Sequence, residues 1–99
     1  MLTLDSAIGM VPDVLDQEVQ GESVLLHLGT ESYFGLNAVG TLVWQRLRAG
    51  VTLRRIHALM LDEYVVDSAR LAGDLLDLVN ALHGAGLIEI LSANDDRGG

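Results

Sequence analysis

Glu31-Ser32-Tyr33-Phe34-Gly35-Leu36-Asn37, followed by Ala38-Val39-Gly40-Thr41-Leu42-Val43-Trp44-Gln45-Arg46-Leu47, is the junction on which the fold turns. Its first half reads as a strand. Tyr33 and Phe34 favour a pleated surface, and Gly35 lets the chain bend. Its second half reads as a helix. Asn37 is a natural N-cap, able to accept from the first free amides. Val39, Leu42, Val43 and Leu47 then recur at helical spacing. What precedes the junction reads as strands, and almost everything after it as helices.

Working upstream, Glu31 to Leu36 is the return strand of a hairpin turned at Gly29-Thr30. The strand before it, Ser23 to Leu28, has the clearest alternation: Val24, Leu26 and Leu28 share one face, Leu25 and His27 the other. Gln20-Gly21-Glu22 is a second hairpin turn, because glycine takes positive φ without steric cost. Before it, Val14 to Gln20 places Leu15 and Val19 against Asp16, Glu18 and Gln20, with Gln17 breaking the pattern as at a sheet edge. Pro12-Asp13 turns the chain into this strand. Residues 1–10 carry weak signals, and no element is assigned to them. A three-stranded meander needs a helix on one face to be stable.

Downstream, the first helix runs from Ala38 to about Ala49 and ends at Gly50, a left-handed terminator. The second, Leu53 to Glu63, is capped by Thr52 and has Leu53, Ile56, Leu59 and Met60 on its apolar face. Tyr64-Val65-Val66 is a short extended linker. The third, Ser68 to about His83, is capped by Asp67. Its expected stripe is Leu71, Leu75, Leu78 and Leu82, with Ala72, Leu76 and Val79 beside it. That arc is wider than one core contact requires. Gly84 and Gly86 end the helix, and Leu87 to Leu91 reads as a short strand or arm. The expected class is therefore α+β: a winged helix-turn-helix with an N-terminal three-stranded antiparallel sheet and three helices. A single domain is expected over residues 1–99. Its ordered core is about 11–91, and Ser92 to Gly99 is a disordered tail.

Composition narrows the function. Nearly half of the residues are hydrophobic, enough for an unstapled core. There is no cysteine, so disulfides and thiolate metal sites are excluded. Met1-Leu2-Thr3-Leu4-Asp5 lacks the basic flank and apolar run of a signal peptide, and no stretch approaches a membrane span. The expected location is cytoplasmic. Fourteen acids face six arginines and no lysine, for a formal charge of −8. Such a surface repels nucleic-acid phosphates and anionic lipid, and favours neutral or basic partners.

No catalytic set emerges. His27, His57 and His83 lie on different elements, and no pair has metal-motif spacing. Asp62-Glu63 and Asp95-Asp96 read as solvated carboxylates, and the serines lack a nucleophile elbow. No cofactor, metal or catalytic residue is expected, so binding is favoured over an enzyme. A winged helix raises DNA binding, but the third helix sets Arg70 against Asp74 and Asp77, the wrong sign for a recognition helix. Arg46, Arg48, Arg54 and Arg55 cluster near the first helix–helix turn, either as ordinary surface or as a docking patch.

Two features point to peptide binding. The third strand ends the meander, so it presents unpaired backbone groups along Glu31, Ser32, Tyr33 and Phe34 to an added strand. The third helix offers a broad apolar arc with Asp74 and Asp77; lying beside that edge, it would complete a groove. Alternation puts Ser32, Phe34 and Leu36 on one face and Glu31, Tyr33 and Gly35 on the other. Leu36 leads into the core, so Phe34 is expected inward and Tyr33 toward a ligand. Open edges also pair with each other, so a monomer or weak dimer is expected.

These motifs carry a resemblance. Tyr33-Phe34-Gly35-Leu36-Asn37, then Gly40, Val43-Trp44 and Leu47, resembles the signature of the PqqD-like family. So do Glu63-Tyr64-Val65-Val66-Asp67, and Leu82 with Gly86-Leu87-Ile88. The similarity covers about residues 14–91. It implies a non-catalytic recognition element for ribosomally made, modified peptides. Such elements bind a precursor's leader as a fourth strand between the third strand and third helix. Carried over by position, the site is Glu31, Ser32, Tyr33 and Phe34 on the strand, with Arg70, Asp74, Leu75, Asp77 and Leu78 on the helix. The chain's free-standing length resembles the leader-binding subunit of lasso-peptide systems, whose partner is a leader peptidase. The alternatives are a peptide chaperone for a radical enzyme in quinone-cofactor biosynthesis and a winged-helix DNA-binding regulator.

Overall fold

The structure, a computed structural model, describes residues 2–91. In chain order it holds β1 (Ala7–Met10), β2 (Val14–Val19), β3 (Glu22–His27), β4 (Ser32–Leu36), α1 (Ala38–Arg48), α2 (Leu53–Glu63), α3 (Ser68–Gly84) and β5 (Ile88–Leu91). The three strands expected from alternation are β2, β3 and β4, which form an antiparallel sheet in that order. The mixed α+β class and the three helices follow the sequence reading. The expectation for residues 92–99 lies outside the described residues.

Local chemistry sets the element ends as the sequence implies. The N-caps Asn37, Thr52 and Asp67 each accept a backbone N–H from the third residue onward. Gly50 and Gly86, at φ +88° and +77°, follow α1 and α3 in the left-handed region. Between β2 and β3 both turn residues have positive φ, Gln20 at 56° and Gly21 at 84°. This marks a two-residue type I′ hairpin. Glycine suits that turn and glutamine does not. Gln20→Asn is therefore expected to stabilise the fold by about 0.5–1 kcal/mol, read as a raised midpoint in denaturant unfolding. An unchanged midpoint would remove strain from Gln20.

Three expectations need correction. First, residues 7–10 are a strand: β1 pairs antiparallel with β5, Ile8 opposite Ile90 and Met10 opposite Ile88. The ordered core thus begins before residue 11. Its signal is a four-residue apolar stretch without alternation, and only the distant partner makes it a strand. Second, Glu31 is not in the third strand. It closes the β3–β4 loop at φ +59°, its N–H donating to the His27 carbonyl at 2.7 Å. Third, the buried stripe of α3 is Leu71, Leu75, Val79 and Leu82; Leu78 is only partly buried. Positions 78 and 79 lie on either side of that stripe, and the neighbouring helices decide which one goes under.

The core lies between the inner face of the sheet and the helices. Leu25 and Leu36 meet Val43, Trp44 and Leu47 of α1, and the cluster continues through Leu53, Ile56 and Met60 to α3 and Ile88. Leu25 is fully buried while Val24 is exposed, so the Leu25 face of β3 is the inner one. The side chain of Trp44 is buried, and its Nε1–H donates to Asp16 Oδ2 at 2.8 Å. Arg48 donates to the same oxygen at 2.5 Å. Together they pin β2 to α1.

Candidate functional site

The strand order β2-β3-β4 leaves β4 paired on one side only, among the described residues. The hydrogen-bond phase identifies its free groups. Leu28 N–H donates to the Asp13 carbonyl at 2.8 Å, and the two-residue hairpin closes at Val19 opposite Glu22. Both place residues 22, 24, 26 and 28 in hydrogen-bonding pairs with β2. Alternation then turns the backbone groups of 23, 25 and 27 toward β4. Their partners are Leu36, Phe34 and Ser32. It follows that Tyr33 and Gly35 aim their N–H and C=O groups at the open edge.

Side chains of β4 sort as expected. Phe34 is partly buried against the core, Leu36 is buried, and Tyr33 is 74% exposed. The strand starts from a fixed corner. His27 Nδ1 accepts the N–H groups of Gly29 (3.1 Å) and Thr30 (3.2 Å), and Thr30 Oγ1 donates to Ser32 Oγ at 3.0 Å. Glu31 holds its left-handed conformation here without being glycine, which stores strain at the mouth of the edge. The turn that follows α3 reaches the same corner: a Cβ on Gly86 would lie 3.8 Å from the His27 ring.

The helix residues named from sequence do not form one surface. Leu75 is only 3% exposed and belongs to the core. Leu78 is partly buried and packs against that core, with exposed Asp74 on the same flank of α3. Asp77 lies about 160° around the helix from Leu75, and Arg70 about 140°. Both are exposed. The part of α3 that can border a peptide while contacting the core is thus Leu78 with Asp74. Sequence periodicity finds the apolar arc but not which of its leucines is covered.

The arginine cluster is largely neutralised within the chain. Arg46 pairs with Glu63 at 3.3 Å, Arg48 with Asp16, and Arg54 holds Asp5 through two bonds of 2.6 and 2.9 Å. The Arg54 guanidinium keeps the exposed Asp5 carboxyl below its ordinary range. At Asp16, burial alone would raise the pKa. The bonds from Trp44 and Arg48 together outweigh it, so this carboxyl is also held below 3.8. No three His, Asp or Glu side chains gather as a metal site among the described residues, and no helix there is long and apolar enough to cross a membrane.

The family model described as coenzyme PQQ synthesis protein D (PqqD) matches residues 22–88. The chain belongs to the PqqD family. Two solved structures share the fold of this PqqD-family chain. TbiB1 in complex with the TbiA(beta) leader peptide is 37% identical at a TM-score of 0.78, over 82% of this chain and 94% of that one. A lasso peptide synthetase B1 complexed with the leader peptide is 24% identical at a TM-score of 0.77, over 84% and 98%. No curated protein sequence matches closely.

Proposed function

We propose that this PqqD-family chain binds the leader of a ribosomal precursor peptide in lasso-peptide biosynthesis, as a strand added to the free edge of β4. The observation that carries this reading is the outward-facing backbone of Tyr33 and Gly35 on a strand without a second neighbour among the described residues. Membership of the PqqD family and the 37% likeness to TbiB1, itself described with a leader peptide, support it. In this reading the site comprises Ser32, Tyr33, Phe34 and Gly35 of β4, and Leu78 with Asp74 is the part of α3 offered to the peptide's other flank. The chain is not a catalyst in this reading. It captures the leader and presents the precursor to a leader peptidase, raising the peptide's effective concentration at that enzyme. A DNA-binding role is disfavoured by the exposed carboxylates of Asp74 and Asp77 on α3.

The test is a fluorescence-anisotropy titration with the leader of the precursor encoded beside this chain's gene. Saturable binding, lost when the leader is scrambled, is the expected result; no binding by folded protein would overturn the reading. In the same assay Tyr33→Ala weakens the complex by about 1 kcal/mol or more, roughly fivefold, if the exposed ring packs on the peptide. An unchanged affinity would remove the ring from the site.

A further inference from the structure

Successive amides of the β3–β4 loop are held by one residue, His27, the last of β3. Its carbonyl accepts the Glu31 N–H at 2.7 Å, and its ring Nδ1 accepts the N–H groups of Gly29 at 3.1 Å and Thr30 at 3.2 Å. The remaining loop amide, that of Leu28, goes to the Asp13 carbonyl. The ring itself is seated between two glycines. A Cβ on Gly29 would lie 3.0 Å from its Cε1, and one on Gly86 3.9 Å from its Nε2. The first distance is tight for any side chain, so glycine at position 29 makes room for the ring.

This loop decides where the peptide edge begins. Glu31 has φ +59°, Ser32 pairs with His27 in the ladder, and Tyr33 follows with its N–H toward the open edge. The left-handed turn at Glu31 is unfavourable for a residue with a Cβ, and such turns persist where surrounding bonds over-determine them. His27 supplies those bonds on both sides, from its carbonyl and from its ring.

An imidazole nitrogen accepts only through its lone pair. Two N–H groups on Nδ1 therefore require that atom to be unprotonated, with the ring's own proton on Nε2. A proton added at Nδ1 occupies the lone pair and sets a third donor against the other two. Both amides then lose their acceptor. Histidine ordinarily makes this change between roughly pH 5 and 8. The other titratable groups on the segments around the ring are Asp13 before β2, Glu31 in the loop, His83 in the last turn of α3 and Glu89 of β5. Among the described residues none of them hydrogen-bonds or ion-pairs with the ring, which leaves the two amides as its polar partners.

We infer that His27 is a positioning residue for leader binding: its unprotonated Nδ1 fixes the corner from which β4 presents Tyr33 to the added strand, and protonation releases that corner. This rests on the leader-binding reading above and adds a regulation of the same edge. Binding is tight with the neutral ring and weakens as the medium acidifies.

The experiment titrates the labelled leader into the full-length parent, His27→Leu and His27→Asn, each at about pH 7.5 and about pH 5.5. Asparagine keeps a carbonyl oxygen that accepts the N–H two residues on, and it does not titrate in this range. The parent should lose about fivefold or more in affinity on acidification. His27→Leu, without an acceptor, should bind about fivefold more weakly at the higher pH and change little between the two. His27→Asn should recover to within about threefold of the parent at the higher pH and stay level on acidification. His57 and His83 are present in all three proteins, so a loss confined to the parent belongs to His27. Proton–nitrogen correlation spectra of the parent without leader give a second reading: the Gly29 and Thr30 amides should move upfield as the His27 ring titrates. No leader binding by the folded parent at the higher pH would overturn the leader-binding reading itself. Parent binding that is level with pH, or an acid loss that His27→Asn shares, would overturn only the role of His27. Amides of Gly29 and Thr30 that stay fixed while the ring titrates would overturn it as well.

Discussion

Trp44→Ala lowers the folding stability by about 3–5 kcal/mol, the range for removing a large buried aromatic side chain. The loss has two parts. The ring leaves a cavity between α1 and the inner face of the sheet, within the Leu25, Leu36 and Val43 cluster. The indole N–H also leaves Asp16, to which it donates at 2.8 Å. Trp44→Phe keeps much of the volume but loses the donor and part of the buried ring, so it should cost less, about 1–2 kcal/mol. Asp16→Ala makes the converse test by leaving the indole N–H without its acceptor. Asp16→Asn keeps an acceptor oxygen and should cost less. Urea unfolding ranks the four variants, and equal costs for the Asn and Ala changes at Asp16 would show that this bond carries nothing.

Acidity separates the charge from the packing. Because the Asp16 pKa is lower in the folded chain than its ordinary 3.8, the folded state binds this proton less readily than the unfolded one. The stability that results is fully present above the ordinary carboxylate range, and is lost as pH falls through the folded value. Acid unfolding of the parent should therefore include a contribution below about pH 4 that Asp16→Asn lacks. Parallel acid curves for the two proteins would contradict the ion pair with Arg48.

Tyr33→Pro is expected to weaken leader binding at least tenfold while leaving the domain folded. The phase of the sheet makes this substitution selective. The Tyr33 N–H points to the open edge, so proline there removes a donor needed only by an added strand, and edge positions facing solvent tolerate proline. Phe34→Pro removes a donor aimed at Leu25 across the β3–β4 ladder, so it should lower the melting temperature instead. Normal binding by folded Tyr33→Pro would exclude backbone pairing at this residue. A melting temperature depressed more by Tyr33→Pro than by Phe34→Pro would mean that the edge assignment is out of phase by one residue.

Much of this arrangement is legible in the chain itself, because it depends on short-range chemistry. Asn37, Thr52 and Asp67 cap their helices through side chains three residues from the amides they satisfy. Alternation in β3 and β4 settles which side chains share a face, including inward Phe34 and exposed Tyr33. An edge strand at the end of the meander is legible for the same reason. Tertiary structure alone decided what depends on a distant partner. β1 has no pattern of its own and becomes a strand against β5, some eighty residues away. Leu75, marked from sequence as a contact, is covered by the core, and Asp77 faces away from it. Which amides of β4 reach the edge follows from the hydrogen-bond phase. Alternation is the same for either choice, so the sequence could not rank them.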